Sequence, residues 1–185
     1  MAGISDKQVR GFTVLEALVV LALCGILLAL AAPSMSGWHQ QQQMQSQAEQ
    51  LRASLMLARS EALRRQQRVT LCVQGALQTC ASQGSWAQGW LVFVDTNANA
   101  LREPDETLLQ VQAPLPALLT LQGNATVDRY ISYGQEGRSQ SISGAFQAGT
   151  LTLCAATQAH AWRVVINPVG KPRLEKKDRT ESVSC

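Results

Sequence analysis

The sequence predicts an α+β protein in which one long N-terminal helix packs on an antiparallel β-sheet domain. Three observations carry that prediction. Residues 12–32 form an apolar run of 21 residues with a single charge. Ala48, Leu51, Leu55, Ala58 and Ala62 then recur at helical spacing. From residue 68 onward, short β-rich runs alternate with Gly, Pro, Asn and Ser.

The apolar run measures about 31 Å as a helix, about one hydrocarbon thickness. Lys7 and Arg10 lie on its short leading side, which favours keeping that end in the cytoplasm and the bulk of the chain outside. The exception within the run is Glu16. A central acid in hydrocarbon costs roughly 2.5–3.5 kcal/mol, so its presence asks for a reason. An ordinary secretory signal, cut near Ala29–Pro33, has a shorter apolar region and leaves Glu16 unexplained. Pro33 is expected to kink the helix near its preceding turn.

Beyond Ser34 the chain turns polar without a helix breaker. The stretch from His39 to Gln47 reads as a solvated connector, with His39 on the surface. The 3-4-3-4 spacing of Ala48 to Ala62 makes one apolar face. Glu61 lies at i+3 and i+4 from Arg64 and Arg65, pairs worth a few tenths of a kcal/mol. The arginines here are read as a solvated helix face.

Eight strand-like runs follow: Arg68–Val73, Gly89–Asp95, Thr107–Val111, Leu118–Gln122, Tyr130–Tyr133, Thr150–Cys154, Trp162–Asn167 and Lys171–Glu175. Their composition and punctuation are those of strands and turns. Asn167–Gly170 reads as the hairpin turn between the last two. Five cysteines are present. Cys24, within the apolar run, reads as a small hydrophobe. The other four imply an oxidising compartment and allow three connectivities. The favoured one joins Cys72 to Cys80 in a short loop and Cys154 to Cys185 at the C-terminus. With no CxxC pair and two histidines, zinc is not expected.

Charge is unevenly spread. Residues 52–68 hold five Arg against one Glu, residues 69–162 three Arg against six acids, and residues 163–185 six bases against three acids. In the middle segment, Asp95, Asn97, Asn99 and Glu106 fall at positions 1, 3, 5 and 12 of a calcium-type loop. Position 6 is Ala100 where such loops need Gly, and the flanks are strands. A hairpin loop built on Asx turns accounts for these residues without an ion. No cofactor or metal is expected. His39 and His160 lie far apart, and no nucleophile elbow, phosphate loop or metal cluster is seen. The chain is therefore read as a non-enzyme.

The stretch Arg10–Glu16, RGFTVLE, resembles the type III signal of type IV pilins and pseudopilins. The resemblance implies cleavage by a prepilin peptidase between Gly11 and Phe12, N-methylation of Phe12, and retention of the apolar helix. It implies that Glu16 acts in filament assembly, paired with the N-terminal amine of a neighbouring subunit. Such a pair makes a buried carboxylate tolerable and sets register, as a polar group does in a coiled coil. The resemblance narrows to the GspH/FimT branch of the pilin-like proteins. It does so through the ARSEA phrase at Ala58–Ala62, VTLC, WAQGWLVFVDTNANALREPDETLL, GTLTLC and WRVVINPVGKPRL. The expected organisation is a leader over 1–11, a transmembrane and filament-core helix over 12–33, an amphipathic continuation over 34–68, and a β-rich domain over 69–185. The expected site is the bacterial inner membrane, with the globular domain in the periplasm, and then a type IV pilus or type II secretion pseudopilus.

The same resemblance suggests DNA uptake. In FimT-type members a GRxR motif in this place binds DNA. Here it reads Gly170-Lys171-Pro172-Arg173, a partial match. Lys lacks the fork of Arg and Pro172 removes a donor. Lys171, Arg173, Lys176, Lys177 and Arg179 are the candidate contacts to the phosphates of double-stranded DNA. Glu175, Asp178 and Glu181 dilute their field, and no nearby aromatic offers stacking. The plain alternative is a solvated basic tail.

Overall fold

The computed structural model describes residues 13–156 and 158–179, with residues 28–36 described by backbone alone. The chain forms two compact units, Met1–Gln40 and Gln41–Cys185.

Helix α1 runs from Val14 to Arg65, unbroken through position 33. In the first unit its apolar side chains are open: Val14, Leu15, Leu18, Leu21, Leu23, Ile26 and Leu27 are all exposed. Among the described residues no helix is long and apolar enough to cross a membrane. The second half of the apolar run, from residue 28, lies outside the side-chain description.

In the second unit the helix behaves as its periodicity requires. Met44, Ala48, Leu51, Leu55, Ala58 and Ala62 are each at most 1 % exposed and form one cluster with the sheets. The small residues Ala48, Ala58 and Ala62 let the backbone approach closely. Ser54 is buried on the same stripe and returns its hydroxyl to the Gln50 carbonyl at 3.0 Å.

Eight strands follow: β1 (Val69–Val73), β2 (Trp90–Val94), β3 (Leu108–Gln112), β4 (Leu119–Gly123), β5 (Tyr130–Tyr133), β6 (Gly149–Ala155), β7 (His160–Ile166) and β8 (Pro172–Asp178). Each expected run is a strand. They make two four-stranded sheets rather than one, ordered β3-β2-β1-β5 and β4-β6-β7-β8, with every pairing antiparallel. The division arises because β5 returns to pair with β1, Val69 opposite Tyr133, while β4 pairs with β6.

The centre of the first sheet, β1 and β2, is buried on both faces. Leu71, Val73, Trp90 and Val92 join the helix cluster, whereas Cys72, Leu91 and Phe93 form a smaller cluster with Cys80, Leu108 and Tyr130. The second sheet alternates in the manner of a half-solvated sheet: Leu119 and Leu121 are buried, Thr120 and Gln122 exposed. Pro172 opens β8 at the sheet edge, the position a residue lacking a backbone donor can occupy.

Candidate functional site

At the N-terminus, Gly11 and Phe12 lie outside the described residues. Thr13 precedes the first turn of α1, and its hydroxyl accepts from the Glu16 amide at 3.3 Å. Glu16 thus occupies the third helical position, where a carboxylate complements the positive end of the helix dipole. Its side chain is exposed among apolar neighbours and has no partner among the described residues.

The arginines toward the end of α1 are more committed than a solvated face. Glu61 accepts from Arg64 at 2.6 and 3.0 Å and from Arg65 at 2.5 Å. Those bonds, Arg64 first, hold its carboxyl down at about 2. Arg59 donates to the Gly137 carbonyl at 2.8 Å and Arg68 to the Ser141 carbonyl at 3.1 Å. These two pin the β5–β6 connection to the helix end.

The Cys72–Cys80 disulfide is formed. It folds the 73–79 loop over the outer face of the first sheet, beside Leu91 and Phe93. Cys154 is also disulfide-bonded, and Cys185, its expected partner, lies outside the described residues. Cys24 is free and exposed. Inside the Cys72–Cys80 loop, Leu77 takes left-handed backbone angles (φ 52°, ψ 32°), with its side chain 95 % exposed. No sequence signal marked it.

The 95–106 loop closes on itself. Asp95 is buried and accepts from the Asn99 and Ala100 amides at 3.1 Å and from the Thr70 hydroxyl at 2.8 Å. Glu106 accepts from the Thr96 amide at 2.8 Å and the Glu103 amide at 3.1 Å. Burial raises the Glu106 carboxyl. The Asn99 side chain, donating at 2.7 Å, lowers that of Glu103. The two buried carboxylates at loop positions 1 and 12 therefore serve the loop's own amides. Among the described residues no group of three or more His, Cys, Asp or Glu is placed to hold a metal ion.

A polar cleft of about 590 Å³ opens beside this loop, lined by Gln66, Gln67, Arg68, Gln135 and Gln140 among others. Asp95, Thr96 and Glu136 also line it, and the Asp95 carboxylate and the Thr96 hydroxyl are both engaged by hydrogen bonds at the loop.

The expected basic tail is mostly strand. Its turn is the one expected: Gly170 donates to the Asn167 carbonyl at 2.8 Å and Lys171 to the Asn167 side chain at 2.9 Å. Gly170 has φ 78°, and a Cβ there would meet the Gly137 carbonyl oxygen at 2.8 Å, so this glycine has a structural requirement of its own. The five candidate bases divide. Arg173 pairs with Glu175 at 2.9 Å. Arg179 is tied back to the Ala155 carbonyl at 3.1 Å, and its amide bonds to the Ala159 carbonyl at 2.8 Å. Lys171, Lys176 and Lys177 are exposed. Lys176 lies opposite Trp162, on the other face of β8 from Arg173 and Lys177. His160 bonds to Asp178 at 2.7 Å.

One basic residue was missed. Arg163 lies opposite Glu175 and shares the outer face of the sheet with Arg173 and Lys177. It has no ion-pair partner among the described residues. Strand alternation counted back from the Asn167–Gly170 turn contained that information.

A long N-terminal helix with an exposed apolar first half, seated in its second half on antiparallel sheets, defines a pilin-type protein. The family model described as Type II transport protein GspH matches residues 47–170, and that of the prokaryotic N-terminal methylation motif matches residues 6–32. The chain belongs to the GspH family. Among curated proteins it is 39 % identical over 97 residues to the pilin-like protein PilA1 of Thermus thermophilus. That alignment spans 52 % of this chain and 55 % of the relative, about half of each. Among solved structures it resembles the type IV minor pilin FimU of Pseudomonas aeruginosa, with TM-score 0.57, 19 % identity, and 75 % of this chain and 92 % of that one covered. It also resembles the minor pseudopilin EpsH of the Vibrio cholerae type II secretion system, with TM-score 0.53, 13 % identity, and 76 % and 98 % covered. Both likenesses concern the fold.

Proposed function

We propose that this chain is a minor subunit of a type IV pilus-like filament. In this reading a prepilin peptidase cuts after Gly11 and methylates Phe12. The apolar helix then holds the subunit in the inner membrane with its domain in the periplasm, and the same helix later packs among those of other pilins. The observation that carries the reading is Glu16. It is the one acid in the apolar run, it has no partner among the described residues, and the amine of another subunit in a lipid-free helix bundle would supply a charge to match it. The domain boundaries at residues 11, 33 and 68 belong to the same proposal. Mass spectrometry of the membrane-bound protein tests the first step. A mature chain beginning with methylated Phe12 supports it, and an intact leader or a cut near Ala31 contradicts it.

Pilus and secretion pseudopilus are separated by deletion of the gene. Loss of piliation with normal secretion assigns the pilus, and loss of secretion alone assigns the type II system. A second reading, DNA uptake, draws support from the exposed Lys171, Lys176 and Lys177. With Arg173 paired and Arg179 held by backbone carbonyls, the binding it calls for is weak, sequence-independent and salt-sensitive. Titration of the chain in detergent against duplex DNA tests it. Loss of low-salt binding on Lys176→Ala and Lys177→Ala supports the reading, and no low-salt binding removes it.

A further inference from the structure

One row on the outer face of the second sheet is buried where a half-solvated sheet should be open. Thr120, Cys154, Ala161 and Lys177 lie side by side across β4, β6, β7 and β8. Their strand neighbours Leu121, Leu153, Ala155 and Trp162 face the helix cluster, so alternation turns the row outward. Its two ends are exposed. Its two middle members are not: Cys154 is 2 % and Ala161 0 % exposed. Neither belongs to either apolar cluster. Their cover is therefore narrower than the sheet and lies over β6 and β7 alone.

The cysteines identify that cover. Cys154 is disulfide-bonded, Cys72 is joined to Cys80, and Cys24 is free. Of the five cysteines in the chain only Cys185 is left to bond Cys154. The described chain also ends beside the row. Arg179 donates to the Ala155 carbonyl at 3.1 Å, and its amide bonds to the Ala159 carbonyl at 2.8 Å. Arg179, Leu118, Thr120 and Cys154 line one groove of about 290 Å³. The stretch from Arg179 to Cys185 reaches at most about 20 Å, and crossing from β8 to β6 takes about 10 Å.

We infer that residues 180–185 cross the outer face of β7 and β6 as a strap, fastened by a Cys154–Cys185 disulfide, and close that face to other molecules. The strap is redox-sensitive. A dithiol that exchanges with the bond gives two electrons and two protons to the two sulfurs and leaves as a disulfide. The strap then loses its covalent hold. The floor it covered, Cys154 and Ala161, opens and joins the groove beside Leu118, which is already exposed. An oxidising compartment keeps the strap closed. Neither the filament reading nor the DNA reading is needed for this device.

The test uses the full chain in detergent. Tryptic digestion without reductant should release residues 139–163 joined to residues 180–185, and reduction should part them. Cys154 joined to any other cysteine, or to a second copy, overturns the inference. The cover is tested apart from the bond by labelling with a bulky maleimide. In the oxidised protein Cys24 alone should react. In Cys185→Ser, Cys154 should react as well, at a rate within about tenfold of its rate in urea, since thiol reactivity follows exposure. The parent treated briefly with dithiothreitol should give the same labelling, and this arm needs no substitution. A Cys154 thiol that stays protected in both arms overturns the strap, because something other than residues 180–185 then covers the row.

Discussion

The two halves of α1 are both rich in apolar residues and have opposite fates. Over 14–27 the large side chains are exposed, Val14, Leu15 and Leu21 most of all. Over 44–62 a single stripe is buried to 1 % or less. The first half is apolar on all sides, and the second is apolar on one. A helix apolar all round requires an apolar surrounding on all sides, which its own domain does not supply. A striped helix is satisfied by one sheet surface. The second half is buried in this chain's own core, and the first exposes the apolar surface that the proposed filament subunit would cover with lipid and with other helices.

The sharpest way to break that contrast is to truncate a leucine in each half. Leu55→Ala removes a fully buried side chain and should cost about 2–5 kcal/mol of domain stability. Leu21→Ala should leave the thermal unfolding of the domain unchanged. Equal destabilisation by both would erase the distinction. Next in size is the covalent brace. Cys72→Ser with Cys80→Ser opens a short loop and should cost about 2–3 kcal/mol, read as a fall in melting temperature relative to the parent. An unchanged melting temperature would show that Leu91 and Phe93 hold the outer face without the disulfide.

The smallest effect concerns the end of the buried half. Glu61 has its carboxyl lowered from 4.5 to about 2 by Arg64 and Arg65. A lowered acid contributes stability that is complete above its unfolded value and is lost as pH falls through the folded one. Stability should therefore decline between pH about 4.5 and about 2, and Glu61→Gln should flatten that part of the curve. The effect should be a small one, a few tenths of a kcal/mol. A curve unchanged by Glu61→Gln would mean that the pair contributes nothing measurable.

Where the sequence was legible, a local period or punctuation carried the information. The stripe from Ala48 to Ala62, all eight strands and the Asn167–Gly170 turn are of that kind. What was not legible depends on pairings between distant residues. The split into two sheets follows from β5 meeting β1 across the chain. Asp95 owes its burial partly to Thr70, on another strand. Arg179 reads as a free base in sequence, and only the approach of the Ala155 carbonyl shows that one of its guanidinium nitrogens is held by the backbone. Arg163 was hidden by its position within an otherwise apolar run. Leu77 carries no local signal, because its left-handed backbone is imposed by the disulfide loop rather than by a glycine.

The central claim is that Glu16 acts between subunits and not within one. Its bond to Thr13 is donated by the backbone amide, so glutamine or alanine at position 16 keeps it, and the two substitutions test the carboxylate alone. The deciding measurement is therefore incorporation of Glu16→Gln and Glu16→Ala into filaments, scored beside cleavage after Gly11 and membrane insertion. Both variants should be processed and inserted normally and should incorporate poorly. Incorporation of Glu16→Gln at the parent level would contradict the claim.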